Sequence, residues 1–185
     1  MKTAALLVLI FFLTGCGRVD SEIDRAMLIR NRFLKSAGCE FVAEITADYG
    51  VDVYTFTLEC RVDSNGMLHF SVVSPASIAG ITGSVSQEGG KLTFDDRALA
   101  FELLADGQLS PVCAPWIMIN TLRSGYIRTC ADMKSGQKLQ IDDSYAEEAL
   151  QLDIWTNSED VPYRCEILWQ GRRYLTIDVR CFKFL

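Results

Sequence analysis

The sequence predicts an α+β fold that is mostly β: a curved antiparallel sheet of roughly ten or eleven strands, with an N-terminal helix and one buried helix at about 111–124. Three observations carry this. Strict alternation of apolar and polar residues sets in at Cys39 and returns in run after run to the C-terminus. Glycine-bearing turns separate the runs at hairpin spacing. One segment alone, after Ser110-Pro111, is apolar nearly all round and reads as a helix.

The first element is not part of that domain. Lys2 forms a short basic head, Ala4 to Leu13 make an apolar run, and Leu13-Thr14-Gly15-Cys16 places small residues just before a cysteine. A spanning helix needs about 20 apolar residues, so this run is too short to cross a bilayer and has the form of a signal peptide. Residues 1–15 are therefore read as the signal, 16–20 as a short tether and 21–185 as a single domain.

Residues 13–16 resemble the lipobox of bacterial lipoproteins. That resemblance implies acylation of the Cys16 thiol, cleavage before it, and an exported chain anchored by lipid on the extracytoplasmic face of a cell membrane. The membrane is thus a partner through Cys16. Removal of residues 1–15 takes only Lys2 from the 18 basic residues set against 24 acidic ones, so the domain stays acidic. No basic block interleaves with aromatics, which excludes nucleic acid as the expected partner. A monomer is expected, and no protein partner is legible.

Next comes "SEIDRAMLIRNRFLKSAG". Ile23, Ala26, Met27, Phe33, Leu34 and Ala37 fall on one side at helical spacing, with Arg25, Asn31, Arg32 and Lys35 mostly on the other. Asp20 or Ser21 can cap the start and Gly38 the end. Packing of this helix on the domain is favoured over a basic face lying on lipid, because acidic residues precede it.

From Cys39 the period is two. With Tyr49-Gly50 as the turn, Phe41 lies opposite Leu58, Ala43 opposite Phe56, Ile45 opposite Tyr54 and Cys39 opposite Cys60. With Ser64-Asn65-Gly66 as a three-residue loop, Val62 meets Leu68, Cys60 meets Phe70 and Leu58 meets Val72. All apolar side chains share one face. At the far end a loop Gln170-Gly171-Arg172 pairs Ile167 with Leu175, Cys165 with Ile177 and Tyr163 with Val179. Gly89-Gly90, Asp95-Asp96 and Gly136 punctuate the runs between. A one-faced sheet of this size is large enough to curl.

The interrupting segment is "GQLSPVCAPWIMINTLRSG". Ser110 can cap a first turn that has Pro111 at its first position, Pro115 can begin the helix proper, and Gly125 ends it. Trp116, Ile117, Met118, Ile119 and Leu122 must be buried, so this helix plugs or lids the concave face.

The acylated cysteine, the helix leading into a strand meander, the step Val72-x-Ser74-Pro75-x-x-Ile78-x-Gly80 and the Ser-Pro helix after the sixth or so strand together resemble the LolA/LolB-type lipoprotein carriers and their relatives. The likeness covers most of the mature chain. It implies an unclosed β-barrel whose apolar concavity, covered by helices, accepts acyl chains. In this chain the lining would be Phe41, Ile45, Phe56, Leu58, Phe70, Val72, Trp116 and Ile119. Those positions serve a filled core equally well.

Of seven cysteines, six remain beyond Cys16. No CxxC or zinc-ligand spacing occurs, so thiol redox chemistry and metal binding are not expected. The six are read as mostly buried free thiols, with Cys39–Cys60 the one bridge the register suggests. His69, the only histidine, takes the outward parity in "LHFSV". The doublets Asp95-Asp96, Asp142-Asp143 and Glu147-Glu148 sit in turns or point oppositely along strands. No catalytic residue, cofactor or metal is expected, and enzymatic activity is not. The function the sequence favours is a membrane-anchored lipoprotein that binds or carries a hydrophobic or acyl ligand; its alternative is an envelope structural or protein-interaction module with a solid core.

Overall fold

The computed structural model describes residues 17–185 apart from 95–96, 102–103 and 106–107. The signal, Cys16 and the Asp95-Asp96 doublet lie outside the described residues. Helix α1 (Gly17–Lys35) leads into β1 (Cys39–Asp48), β2 (Val53–Val62), β3 (Leu68–Ser74), β4 (Thr82–Ser86), β5 (Gly89–Phe94) and β6 (Arg97–Phe101). A two-residue pair follows, β7 (Leu104–Ala105) and β8 (Gln108–Leu109). A 3-10 turn (Pro111–Cys113) and helix α2 (Ala114–Ser124) then precede β9 (Tyr126–Met133), β10 (Gly136–Asp142), β11 (Gln151–Thr156), β12 (Pro162–Trp169) and β13 (Arg172–Phe184).

Eleven strands form one antiparallel sheet in the order β6-β5-β4-β3-β2-β1-β13-β12-β11-β10-β9. The first and last strands thus meet at its centre. The order does not close: β6 and β9 are its two edges. One face of nearly every strand is buried in a single apolar cluster that also holds α1 and α2. Flat strands at about 4.8 Å spacing would span close to 50 Å, whereas a helix with its side chains covers only about 10–12 Å. Two helices can roof such a sheet only if it curls, so the architecture is an unclosed barrel.

The hairpin at Gly66 has the expected register: Val62 pairs with Leu68, Cys60 with Phe70 and Leu58 with Val72. Gly66 takes a φ of +82° there, which a turn of this kind requires. The β1–β2 register differs by two residues from the sequence expectation. Ile45 faces Phe56, Ala43 faces Leu58 and Phe41 faces Cys60. The cause is a longer turn, closed by Tyr49 N–H donating to Asp52 O at 3.0 Å and Gly50 N–H donating to Asp48 Oδ1 at 2.8 Å. A slip of two keeps every side chain on its face. It also removes the premise of the Cys39–Cys60 bridge, since Cys39 faces Val62 and both thiols are free.

At β12–β13 the loop is two residues, not three. Gln170 and Gly171 both have positive φ (49° and 77°), and a bulge between Ile167 and Leu168 restores the pairs Ile167–Leu175 and Cys165–Ile177.

Helix α1 departs more. It begins at Gly17, inside the segment read as a tether, so neither Asp20 nor Ser21 is its cap. Its buried residues are Ala26, Ile29 and Phe33, while Ile23, Met27 and Leu34 of the expected apolar face are 40–49% exposed. The helix is rotated because two of its arginines have partners on the packed side. Arg25 Nη2 bonds Asp160 Oδ1 at 2.8 Å, and Arg30 reaches the end of α2. At the other end of α1, Phe33 stacks edge-on with Phe182 and Phe184, at 5.9 and 5.0 Å between centroids.

Candidate functional site

Alternation brings the expected lining residues together. Phe41 and Ile45 come from β1, Phe56 and Leu58 from β2, Phe70 and Val72 from β3, and Trp116 and Ile119 from α2; all eight belong to the one buried cluster. Ile45 and Leu58 expose nothing, and the least buried of the eight, Phe56, only 8%. A side chain bordering a water-sized void would show more. At these positions the concavity is filled.

Helix α2 is built to fill it. Ala114, Pro115, Trp116, Ile117, Met118, Ile119, Thr121 and Leu122 are all buried, leaving little of the helix for water. Gly125 ends it and donates its N–H to Thr121 O at 2.8 Å. The polar ties are few. Trp116 Nε1 donates to Gly66 O at 3.0 Å, Arg123 Nη2 donates to Ser64 O at 3.4 Å, and Arg30 of α1 donates from Nε to Leu122 O at 3.0 Å and from Nη2 to Gly125 O. Arg30 therefore occupies the negative end of the helix dipole and satisfies two of its last carbonyls. Burial lowers the pKa of its guanidinium, the main influence on it, and that cost is what these two bonds offset.

One group in α2 is unsatisfied. The Thr121 hydroxyl is buried and has no hydrogen-bond partner among the described residues.

The thiols form no reactive centre. Cys39, Cys60, Cys113, Cys130 and Cys165 are buried, and Cys181 is exposed. Desolvation pushes Cys39 and Cys113 up to about 12 and Cys130 up to about 11, and raises Cys60 and Cys165 as well. Such thiols stay protonated and behave as small hydrophobes. His69 stands on the outer face, its Nε2 3.8 Å from Asp63 Oδ2. Among the described residues no group of three or more histidine, cysteine or acidic side chains is placed to hold a metal, and no helix is long and apolar enough to cross a membrane.

Sequence reasoning missed Arg30. Its signal was present, because it stands four residues after Ala26 and three before Phe33, the spacing of one helical face.

No protein-family model matches the chain, and no curated protein matches it by sequence. Among solved structures it is similar to an uncharacterized conserved protein from Thermus thermophilus, at 9% identity over 88% of this chain and 87% of that one, with a TM-score of 0.49. It is similar to a LolA superfamily protein from Nitrosomonas europaea, at 10% identity over 86% and 93% of the two chains, TM-score 0.46. It is also similar to the Mycobacterium tuberculosis lipoprotein LppX, at 12% identity over 85% and 91%, TM-score 0.41.

Proposed function

We propose that this chain is an exported lipoprotein, acylated at Cys16, whose unclosed barrel takes an acyl chain or similar hydrophobic group on its concave face in exchange for α2. The observation that carries the reading is α2 itself. A helix apolar on nearly every side lies against an apolar sheet face and is fixed by few polar ties. An acyl chain gains about 0.8 kcal/mol per methylene buried, so a ligand of modest length can replace the contacts the helix gives up. The Thr121 hydroxyl gains a hydrogen bond to water when α2 moves, which lowers the cost of the exchange. Binding rather than catalysis is the reading, and the protonated buried thiols support it.

The test is extraction of the full chain purified from membranes in mild detergent, followed by mass spectrometry of any lipid that copurifies. A stoichiometric acyl lipid is expected. The anchor is tested separately: Cys16→Ser should leave the chain soluble without detergent, and continued membrane association would reject acylation at that residue.

A second reading has its own observation. The complete burial of Ile45 and Leu58 suits a solid core, in which case the domain is an anchored interaction module. Lipid-free protein together with a defined protein crosslink in cells would favour it.

A further inference from the structure

The outer face of the sheet has chemistry that the concave face does not use. Residues that alternate with the buried ones on β1 to β5, together with buried Phe41, Cys60 and Phe70 and with Gly83 and Cys181, line a recess of about 740 Å³, within the range of small-ligand sites. The strand registers set its side chains in two rows across the sheet. In the first, Arg61 lies opposite His69, His69 opposite Ser84, and Ser84 opposite Lys91. In the second, Glu59 lies opposite Ser71, Ser71 opposite Thr82, and Thr82 opposite Thr93.

The charges of the first row are unequal. Arg61 is held by Glu40 at 3.2 Å, and His69 has Asp63 at 3.8 Å, but Lys91 forms no ion pair among the described residues. Lys91 and His69 flank Ser84 two strand spacings apart, about 10 Å, a gap a lysine side chain can close around one tetrahedral anion. The second row offers three hydroxyls in line beside it. Acidic groups bound the recess: Glu59 on one side, and Glu88 in the adjoining recess that shares Ser84 and Lys91. They disfavour a polyanion or an anionic bilayer and admit a compact, singly phosphorylated ligand.

We propose that this recess binds a small polyol phosphate of the glycerol phosphate class, with Lys91, His69 and Ser84 on the phosphate and Ser71, Thr82 and Thr93 on the polyol hydroxyls. Because all six side chains point away from the core, substitutions here leave the fold intact.

The test is calorimetric titration of the full chain in neutral detergent with sn-glycerol 3-phosphate and inorganic phosphate, and of the Cys16→Ser chain without detergent with vesicles of phosphatidylglycerol. Saturable binding of glycerol 3-phosphate is expected, weakened roughly tenfold by Lys91→Gln. Thr82→Val should weaken glycerol 3-phosphate binding and leave inorganic phosphate binding unchanged. Lys134→Gln, in the β9–β10 turn, should change neither. The proposal is overturned by equal affinity in wild type and Lys91→Gln, by an absence of saturable binding at millimolar ligand, or by binding of the vesicles alone.

Discussion

Arg30 should decide whether α2 behaves as a separable plug. Its guanidinium gives two hydrogen bonds to the carbonyls that end α2, and Arg30→Met keeps the apolar stem while removing both. Hydrogen bonds to a charged group contribute about 1.5–3 kcal/mol each, and the helix-dipole interaction about 0.3–1 kcal/mol more. Against these stands the desolvation that lowers the Arg30 pKa, which the substitution relieves. A net loss of about 2–3 kcal/mol is expected. Because both bonds end on α2, the loss should fall on that helix rather than on the sheet. Hydrogen exchange measures it: amides of α2 should exchange roughly 30- to 150-fold faster, a tenfold step for each 1.4 kcal/mol, while the amides of β1 and β13 stay as they were. Arg30→Lys, which keeps the charge and loses the fork, should fall between. An unchanged α2, or an equal acceleration across β1 and β13, would show that helix and sheet open only together, and the exchange of α2 for a ligand would lose its basis.

The core makes further predictions. Leu58→Ala should cost about 2–5 kcal/mol by chemical denaturation if Leu58 sits in solid packing, and much less if it walls a ligand space. Gly38 has a φ of +149° and a Cβ there would stand 2.1 Å from Val62 O, so Gly38→Ala should destabilise by roughly 3 kcal/mol and lower Tm by about 6–12 °C; an unchanged melt would contradict this close approach of Gly38 to β2. The five buried thiols have folded pKa values raised above the ordinary value near 9. Above that value the unfolded chain releases protons the folded one keeps, so stability is whole below pH 9 and falls as pH rises towards the folded values. Each thiol adds up to about 1.4 kcal/mol per pH unit to that fall. Denaturation midpoints between pH 8 and 10.5 measure it, a flat profile contradicts it, and alkylation of native protein should modify Cys181 alone among these six.

Much of the sheet was legible because alternation is a local property. The Gly66 hairpin was readable to the residue, since loop length and the left-handed glycine fix one register and the apolar parity on both strands agrees with it. The β1–β2 hairpin was readable only modulo two: the Asp48 carboxylate and Asp52 carbonyl that lengthen its turn leave parity untouched, so no pattern in the strands could betray the slip. That slip is what separates Cys39 from Cys60. The rotation of α1 had a different origin, in partners distant along the chain. Arg25 looks like a solvent-facing residue on a helical wheel, whereas Arg30 shares the face of Ala26 and Phe33; for both, the partners that seat the charged group, Asp160 and the end of α2, lie 92 or more residues away.

The same distinction explains the two faces of the sheet. A concave lining is a run of large apolar residues at period two, and each strand announces its own share. A polar row such as His69-Ser84-Lys91 has no signature in any one strand. It exists because β3, β4 and β5 pair in one particular register, and shifting any of them by two residues would disperse it while leaving the core pattern intact. Alternation therefore identifies which side chains are hidden and which are free, but recognition by the free ones depends on register. How readily α2 leaves the hidden side depends in turn on how firmly it is held, by its buried face, by the bonds of Trp116 and Arg123, and by the Arg30 guanidinium on two carbonyls at its end.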